Sequence, residues 1–186
     1  MTAALRVFIM RHGETTWSLS GQHTGSTELP MVRTSPRLRT RQTCELAGFD
    51  ARVRVDPDPA EWDYGDHEGQ RSSDIRVERP DWDIWRDGRP GGETPTQVGA
   101  RADRVIAHLM PLVGAVALFS HGQFARVLAA RWLVMDVGNG RRFALDPASI
   151  SMLGFEDDAP DLPVIALWNA SPAALGSVRA SQSVPC

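Results

Sequence analysis

Lysine is absent from this chain of 186 residues, and all 20 of its basic residues are arginine. The absence excludes a Schiff-base lysine and the lysine-bearing phosphate loop of P-loop enzymes. Any long cation that holds an oxyanion here must therefore be a planar guanidinium, which binds in a bidentate manner. The net charge of −3 and the pI near 5.9 give no general reason to expect nucleic acid or an anionic membrane as a partner.

Cysteine and long hydrophobic runs are also scarce. The two cysteines, Cys44 and Cys186, make no disulfide framework, so a reducing cytoplasm is the expected compartment. No apolar stretch approaches the roughly 18 residues of a membrane-spanning helix. The N-terminus lacks a charged region followed by a long apolar run. We therefore predict neither a signal peptide nor a membrane span.

Strands and helices alternate along the chain. Apolar runs at 5–10 and 115–120 are typical of strands that are buried on both faces, as in a parallel sheet. This alternation predicts a single α/β domain with a mostly parallel central sheet flanked by helices. We expect the domain to span residues 1–170 and residues 171–186 to form a flexible tail. Further strands are predicted at 31–34, 52–55, 149–155 and 163–169, and helices at 35–47, 72–87 (broken at Pro80), 94–110 and 121–135.

The predicted helix that follows residue 34 is rich in arginine. Ser35 is its expected N-cap, Pro36 its first residue and Gly48 the residue after its end. Arg37 and Arg41 lie four residues apart, and we interpret them as part of a solvated face, with Arg39 on a different face.

Both buried strands end on a histidine that is followed by glycine, at His12 and His121. Ligands of open α/β sheets bind at the carboxyl ends of the strands. If the two strands are neighbours, the histidines face one another across one pocket. The helix N-terminus after His121 adds backbone N–H groups that favour an anion. A catalytic zinc is disfavoured because it needs about three ligands and no third His or Cys stands out.

Four carboxylates and two aromatic side chains share the segment "AEWDYGDHEG" at residues 60–69. A carboxyl group beside Trp62 and Tyr64 would be partly desolvated, which raises its pKa and makes it usable as a general acid. For three of the four carboxylates, we expect an acidic surface turn instead.

The chain resembles the histidine phosphatase, or phosphoglycerate mutase-like, superfamily. Six motifs stand in the family's order between about residues 5 and 170: "RHGETTW", "GQHTGSTELP", "TSPRLRTRQT", "EWDYGDHEG", "GGET" and "SHGQFAR". The segments "GQHTG", "EWDYG" and "IWRDG" are most similar to the branch of bacterial acid phosphatases and sugar-bisphosphate phosphatases.

The resemblance implies a role for each matching residue. His12 would be the nucleophile that becomes phosphohistidine, and Glu61 the proton donor. Two arginines and one histidine can stabilise a transferring phosphoryl group without a metal or other cofactor. Arg11, Arg39 and His121 would hold the phosphoryl oxygens, Thr24 and Gly122 would add backbone contacts, and Gln22, His23, Trp85 and Arg86 complete the expected substrate-binding set. Trp85, like Trp82, has helical spacing that is also typical of core residues.

The sequence departs from the mutases of that family. Their lysine after "YG" is absent, with Ser72 near its place, and their paired arginines correspond to Arg86 and Asp87. Fewer cations weaken capture of a second anion, so a hydrolase is favoured over a mutase. We therefore predict a phosphomonoester hydrolase that acts on a small phosphorylated metabolite. A specific sugar-bisphosphate phosphatase, a mutase and a silent phosphate-binding protein remain as alternatives. No nucleic-acid or membrane partner is expected, and a homodimer is left open.

The connection between Pro30 and Met31 is short. A parallel crossover normally takes a dozen or more residues and includes a helix, whereas a loop here leads directly into a strand. In the resembling family, a helix-bearing segment of roughly two dozen residues stands at this point. We expect such a segment to be missing from the sequence between Pro30 and Met31. The alternative is a genuine short variant whose sheet edge has been rebuilt.

Overall fold

A six-stranded sheet forms the centre of the computed structural model, which describes residues 4–13, 31–49 and 53–171. The strands are β1 (Arg6–Arg11), β2 (Met31–Thr34), β3 (Val53–Val55), β4 (Ala115–Ser120), β5 (Ile150–Glu156) and β6 (Ala159–Ala170). Their order is β3-β2-β4-β1-β5-β6. The first four strands of that order are parallel, whereas β5 runs antiparallel to both β1 and β6. The predicted α/β class and mostly parallel sheet are confirmed.

Five helices flank the sheet in the described ranges: α1 (Leu38–Leu46), α2 (Ser72–Glu78), α3 (Ile84–Asp87), α4 (Pro95–Leu109) and α5 (Gly122–Trp132). The predicted break at Pro80 separates α2 from α3. Thr94 caps α4 through a capping box with Gln97, and Pro95 fills the first helical position. Short 3₁₀ turns occupy Gly65–His67 and Val137–Arg142.

The predicted N-cap of α1 is wrong. The helix begins at Leu38 with Arg37 as the N-cap, two residues later than expected. Ser35 instead continues the extended chain, since its N–H donates to the carbonyl of Phe119 at 3.1 Å. A residue that precedes proline disfavours the helical region, so Pro36 delays the start. The predicted end is confirmed, because Gly48 follows the C-cap with a φ of 80°.

The sheet separates two hydrophobic cores of unequal size. On one face, β1 and β4 contribute Val7, Ile9 and Leu118 to a large core that α4 and α5 cover. On the other face, a small core beneath α1 consists of Val32, Cys44, Ala117 and Phe119. Strand β4 is buried on both faces, as predicted. In β1 only one face is fully buried, because Phe8 and Met10 remain half-buried on the side of the small core.

Two predictions fall on parts of the chain outside the described residues. Pro30 lies there, so the missing segment between Pro30 and Met31 stays a prediction. The predicted tail lies there too, apart from Ser171. Among the helices of the described ranges, none combines the length and the apolar character that crossing a membrane requires.

Candidate active site

The parallel pairing of β1 and β4 brings the two histidines together. Arg11 and Ser120 are partners in the strand register, so the next residue of each strand leaves the sheet at the same edge. The His12 N–H donates to the Ser120 carbonyl at 3.2 Å. The rings of His12 and His121 lie edge to face with centroids 5.1 Å apart. The predicted proximity of the two histidines is confirmed.

Arg39 joins the two rings from α1. Its Nε–H donates to His12 Nε2 at 3.0 Å and to His121 Nδ1 at 3.1 Å. Thr43 ties this helix to the end of β1, because its hydroxyl accepts the Gly13 N–H at 3.4 Å and donates to the Arg39 carbonyl at 2.8 Å. Arg37 and Arg41 are exposed, as the solvated-face interpretation predicted.

These contacts assign the proton on each ring. His12 Nε2 accepts from Arg39, so its proton lies on Nδ1, which is 3.3 Å from the Gly13 carbonyl. The expectation that a backbone group holds this N–H is confirmed. His121 Nδ1 also accepts from Arg39, and its Nε2–H faces the Ser35 hydroxyl at 2.8 Å. Each ring therefore points an unprotonated nitrogen at Arg39.

Burial and positive charge keep both rings neutral. Burial lowers the pKa of His12, and the nearby Arg39 and Arg11 guanidinium groups lower it further, against the opposing Gly13 hydrogen bond. Burial, followed by the charge of Arg39, lowers the pKa of His121 to about 3. Neutral His12 can act as a nucleophile at ordinary pH.

Arg11 packs against the start of α5. Its Nη1 donates to the Leu145 carbonyl, and its buried Nε has no hydrogen-bond partner in the described part of the chain. A Cβ on Gly122 would lie only 3.0 Å from the Arg11 Cζ. Glycine at this position therefore lets the guanidinium lie against the first turn of the helix.

Glu61 places its carboxylate at the same helix end. Oε1 accepts the N–H groups of Trp62 and Phe124, both at 3.0 Å, and Oε2 accepts that of Gln123 at 3.3 Å. Burial raises the pKa of Glu61, while these backbone donors and Arg39 act in the opposite direction. The other three carboxylates of the segment, Asp63, Asp66 and Glu68, are exposed. The predicted split between one desolvated acid and a solvated turn is confirmed.

The predicted substrate-binding residues are only partly brought to this site. Gln22, His23 and Thr24 lie outside the described residues. Trp85 is half-buried, and its ring packs edge to face on Trp62 with centroids 5.5 Å apart. Arg86 is exposed and forms a 2.8 Å ion pair with Asp87. Trp85 and Arg86 border a surface depression that Asp83, Arg141 and Arg142 also line. Trp82, by contrast, is a core residue.

The described residues hold no group of three or more His, Cys, Asp or Glu side chains that could hold a metal ion.

The sequence profile of the histidine phosphatase superfamily (branch 1) matches residues 28–170, more than half of the chain. The chain belongs to this superfamily.

Similar proteins agree with that membership. An acid phosphatase of Mycobacterium tuberculosis is 38% identical, with 87% of this chain and 92% of that protein aligned. A sedoheptulose 1,7-bisphosphatase of Saccharomyces cerevisiae is 35% identical, over 71% of this chain and 69% of that protein. The solved structure of the Mycobacterium tuberculosis open reading frame Rv3214 superposes with a TM-score of 0.77 at 35% identity, covering 89% of this chain and 97% of that one.

This histidine phosphatase is shorter than its acid phosphatase relative. Their alignment has 188 positions, whereas 87% of 186 residues is about 162, so about 26 aligned positions have no residue in this chain. The difference is close to the length of the segment expected between Pro30 and Met31.

Sequence reasoning missed several residues around the site. Arg126 donates to the Gly140 carbonyl at 3.1 Å, and its guanidinium lies 4.9 Å from the Trp85 ring centroid. The charges of Arg11 and Glu61 both act on Arg126, which places it in the electrostatic field of the pocket. The available signal was its spacing, since Arg126 follows Gly122 by one helical turn and shares its face. Arg101 and Ser35 were missed as well.

The loop before β5 contacts the backbone of His12. The Ala148 N–H donates to the His12 carbonyl at 3.3 Å. Asn169 holds this loop through Asp146, whose N–H donates to the Asn169 Oδ1 at 2.7 Å, while the Asn169 Nδ2 donates back to its carboxylate at 2.9 Å. Asn169 has a φ of 56°, a conformation that asparagine tolerates better than most residues.

Proposed function

We propose that this chain hydrolyses phosphomonoesters of small metabolites through a phosphohistidine formed on His12. Membership of the histidine phosphatase superfamily supports a phosphatase activity on small phosphorylated compounds. One observation carries the mechanistic part. The unprotonated Nε2 of His12 lies 3.0 Å from the Nε of Arg39. A phosphoryl group that meets the proposed nucleophile would therefore also meet the proposed phosphate-binding cation.

In the first step, His12 Nε2 attacks phosphorus, a P–N bond forms and the ester P–O bond breaks. Arg11 and Arg39 stabilise the charge on the equatorial oxygens. When a phosphate dianion enters, its charge favours the protonated form of His121, which then becomes a further donor.

Glu61 supplies the proton that the leaving oxygen needs. Its raised pKa favours the protonated form at the start of the cycle. In the second step the deprotonated Glu61 removes a proton from water, which attacks the phosphohistidine. The P–N bond breaks, inorganic phosphate leaves, and Glu61 is again protonated.

A hydrolase fits this chain better than a mutase. A mutase needs cations for a second anionic group, and Arg86 is already engaged by Asp87 at 2.8 Å. A narrow specificity for sugar bisphosphates is the second candidate. The 35% identity to a Saccharomyces cerevisiae protein named sedoheptulose 1,7-bisphosphatase supports it. Comparison of a sugar bisphosphate with its monophosphate tests this candidate, because only the former gains from a second cationic subsite.

The remaining predictions concern partners and location. The cytoplasmic location and a homodimer stay predictions, as does the expectation of no nucleic-acid or membrane partner. A silent phosphate-binding protein is the alternative without catalysis, and any wild-type turnover excludes it.

His12→Ala tests the proposed nucleophile. With p-nitrophenyl phosphate we expect a loss of about 10³-fold or more, as for other single nucleophile knockouts. Wild-type protein quenched with ³²P-labelled substrate should retain an acid-labile label, and the variant should retain none. His108→Ala is the matched control, since His108 is exposed on α4. Activity of His12→Ala within tenfold of wild type would contradict the covalent mechanism.

A further inference from the structure

The guanidinium of Arg101 contacts the backbone of the segment that carries Glu61 at several points. Residues 59–64 belong to no helix or strand, so no sheet ladder fixes their position. Arg101 reaches them from α4. Its Nη1 donates to the carbonyls of Asp58 and Ala60, the latter at 3.0 Å, and its Nη2 lies 3.4 Å from the Glu61 carbonyl.

Glu93 fixes Arg101 in place. The ion pair is bidentate, with Nε to Oε1 at 2.6 Å and Nη2 to Oε2 at 2.7 Å. The two side chains are only 13% and 18% exposed, so water screens the pair weakly. Glu93 also holds the segment beyond Glu61, because its Oε2 accepts the Asp63 N–H at 3.0 Å and its carbonyl accepts the Trp62 indole N–H at 2.9 Å.

Arg101 also touches the second element that positions Glu61. Its Cζ lies 4.9 Å from the ring centroid of Phe124. The N–H of Phe124 donates to the Glu61 carboxylate. The three guanidinium nitrogens contact three carbonyls, both carboxylate oxygens of Glu93 and this ring. An ammonium group, with three donors and no planar fork, cannot reproduce that set.

We infer that Arg101, clamped by Glu93, is a positioning residue that holds the Glu61 carboxylic acid at the leaving-group oxygen. The inference rests on the proposed function, in which Glu61 is the proton donor. Arg101 itself does not touch the substrate. It acts through the backbone on either side of Glu61 and through Phe124.

Arg101→Lys tests this role because it keeps the charge and removes the fork. A displaced Glu61 matters most when the leaving group is a poor one that needs a proton. We expect kcat/KM to fall at least about tenfold more for glycerol 2-phosphate than for p-nitrophenyl phosphate. A lower folded fraction would reduce both rates equally. Glu93→Gln weakens the same ion pair from the carboxylate side. It should give the same difference between the two substrates, and it serves as the test if Arg101→Lys does not fold.

Arg104→Lys is the matched control. Arg104 lies one turn further along α4 and pairs with the side chain of Asp58 at 2.6 Å, but it is 54% exposed. Exposed ion pairs contribute little, so both substrates should react within about twofold of wild type. A split between the substrates as large as that of Arg101→Lys would overturn the inference.

Combination with Glu61→Gln separates this inference from the proposed function. If Arg101 acts through Glu61, adding Arg101→Lys to Glu61→Gln should cost less than about threefold more on glycerol 2-phosphate. If the loss of the double variant equals the product of the two single losses, Arg101 does not act through Glu61, and Glu61 keeps its role as the acid. Should Glu61→Gln itself reduce both substrates equally, the acid role fails first, and the inference fails with it.

Discussion

The neutral state of His121 makes the fold sensitive to acid. In the folded chain its pKa is about 3, whereas an exposed histidine in the unfolded chain titrates near 6.5. As the pH falls below about 6.5, the unfolded chain takes up this proton and the folded chain does not. The free energy of unfolding therefore decreases between the two pKa values and recovers as the pH rises.

The size of this effect at pH 5 follows from the interval between the unfolded pKa and the pH. About 1.5 pH units at about 1.4 kcal/mol each give a loss of about 2 kcal/mol between pH 7 and pH 5. A folded-state pKa one unit higher would leave this figure almost unchanged, since His121 would still be neutral at pH 5 when folded. Against a typical stability of about 5–15 kcal/mol, such a loss is measurable.

Urea unfolding at pH 7, 6 and 5, followed by tryptophan fluorescence, measures this loss. His121→Asn should flatten the pH dependence by about 2 kcal/mol relative to wild type. His12, whose pKa is also lowered, contributes in the same direction, whereas Glu61, whose pKa is raised, opposes it. Because both remain in the variant, the difference isolates His121. Equal pH dependence in the two proteins would refute the reasoning.

Two further predictions concern phosphate binding and metal dependence. Gly122→Ala should weaken inhibition by inorganic phosphate by up to about tenfold with little change in Tm, because its Cβ would lie 3.0 Å from the Arg11 Cζ and would shift that guanidinium by a few tenths of an ångström. Gly154→Ala, whose nearest neighbour is 3.8 Å away, is the control. Unchanged phosphate affinity of Gly122→Ala would contradict the contact assigned to Arg11. Dialysis against EDTA should leave turnover of p-nitrophenyl phosphate unchanged, since the proposed steps use only protein side chains, and a collapse that added divalent metal reversed would reinstate a metal mechanism.

The sequence predicts the residues that stand at the ends of strands. His12 and His121 each follow an apolar run, and parallel strands necessarily bring such positions to one edge. The aromatic residues of the segment predicted one carboxyl group with a raised pKa, but they did not identify it. Asp63, which stands between Trp62 and Tyr64, is exposed, and the family resemblance singled out Glu61. Local pattern therefore places the two histidines, whereas the choice of Glu61 needed the family resemblance.

The supporting residues could not be predicted in the same way. Ser35 contacts His121 across 86 positions of sequence, and the serine–proline pair is equally typical of a helix cap. Arg101 reaches Ala60 across 41 positions from a helix whose other arginine, Arg104, is exposed at the surface. Helical spacing places Arg101 nearer than Arg104 to the apolar stripe of α4. It does not reveal which backbone Arg101 contacts, because that depends on how α4 packs beside residues 58–61.

The proposed catalytic groups lie on both faces of the sheet, one of which is covered by a large core and the other by a small one. His12, His121 and Glu61 lie beside the large core. Arg39 lies on α1, which covers the small core and buries only Thr40 and Cys44. Regions with little buried apolar surface open locally at lower free-energy cost than the main core. Arg39, which contacts His12, thus lies on a helix that we expect to open at a lower free-energy cost than α4 or α5. If Arg39 and Arg11 both hold the phosphoryl group, as we propose, the bound substrate links this helix to the large core and stabilises the fold as well as undergoing reaction.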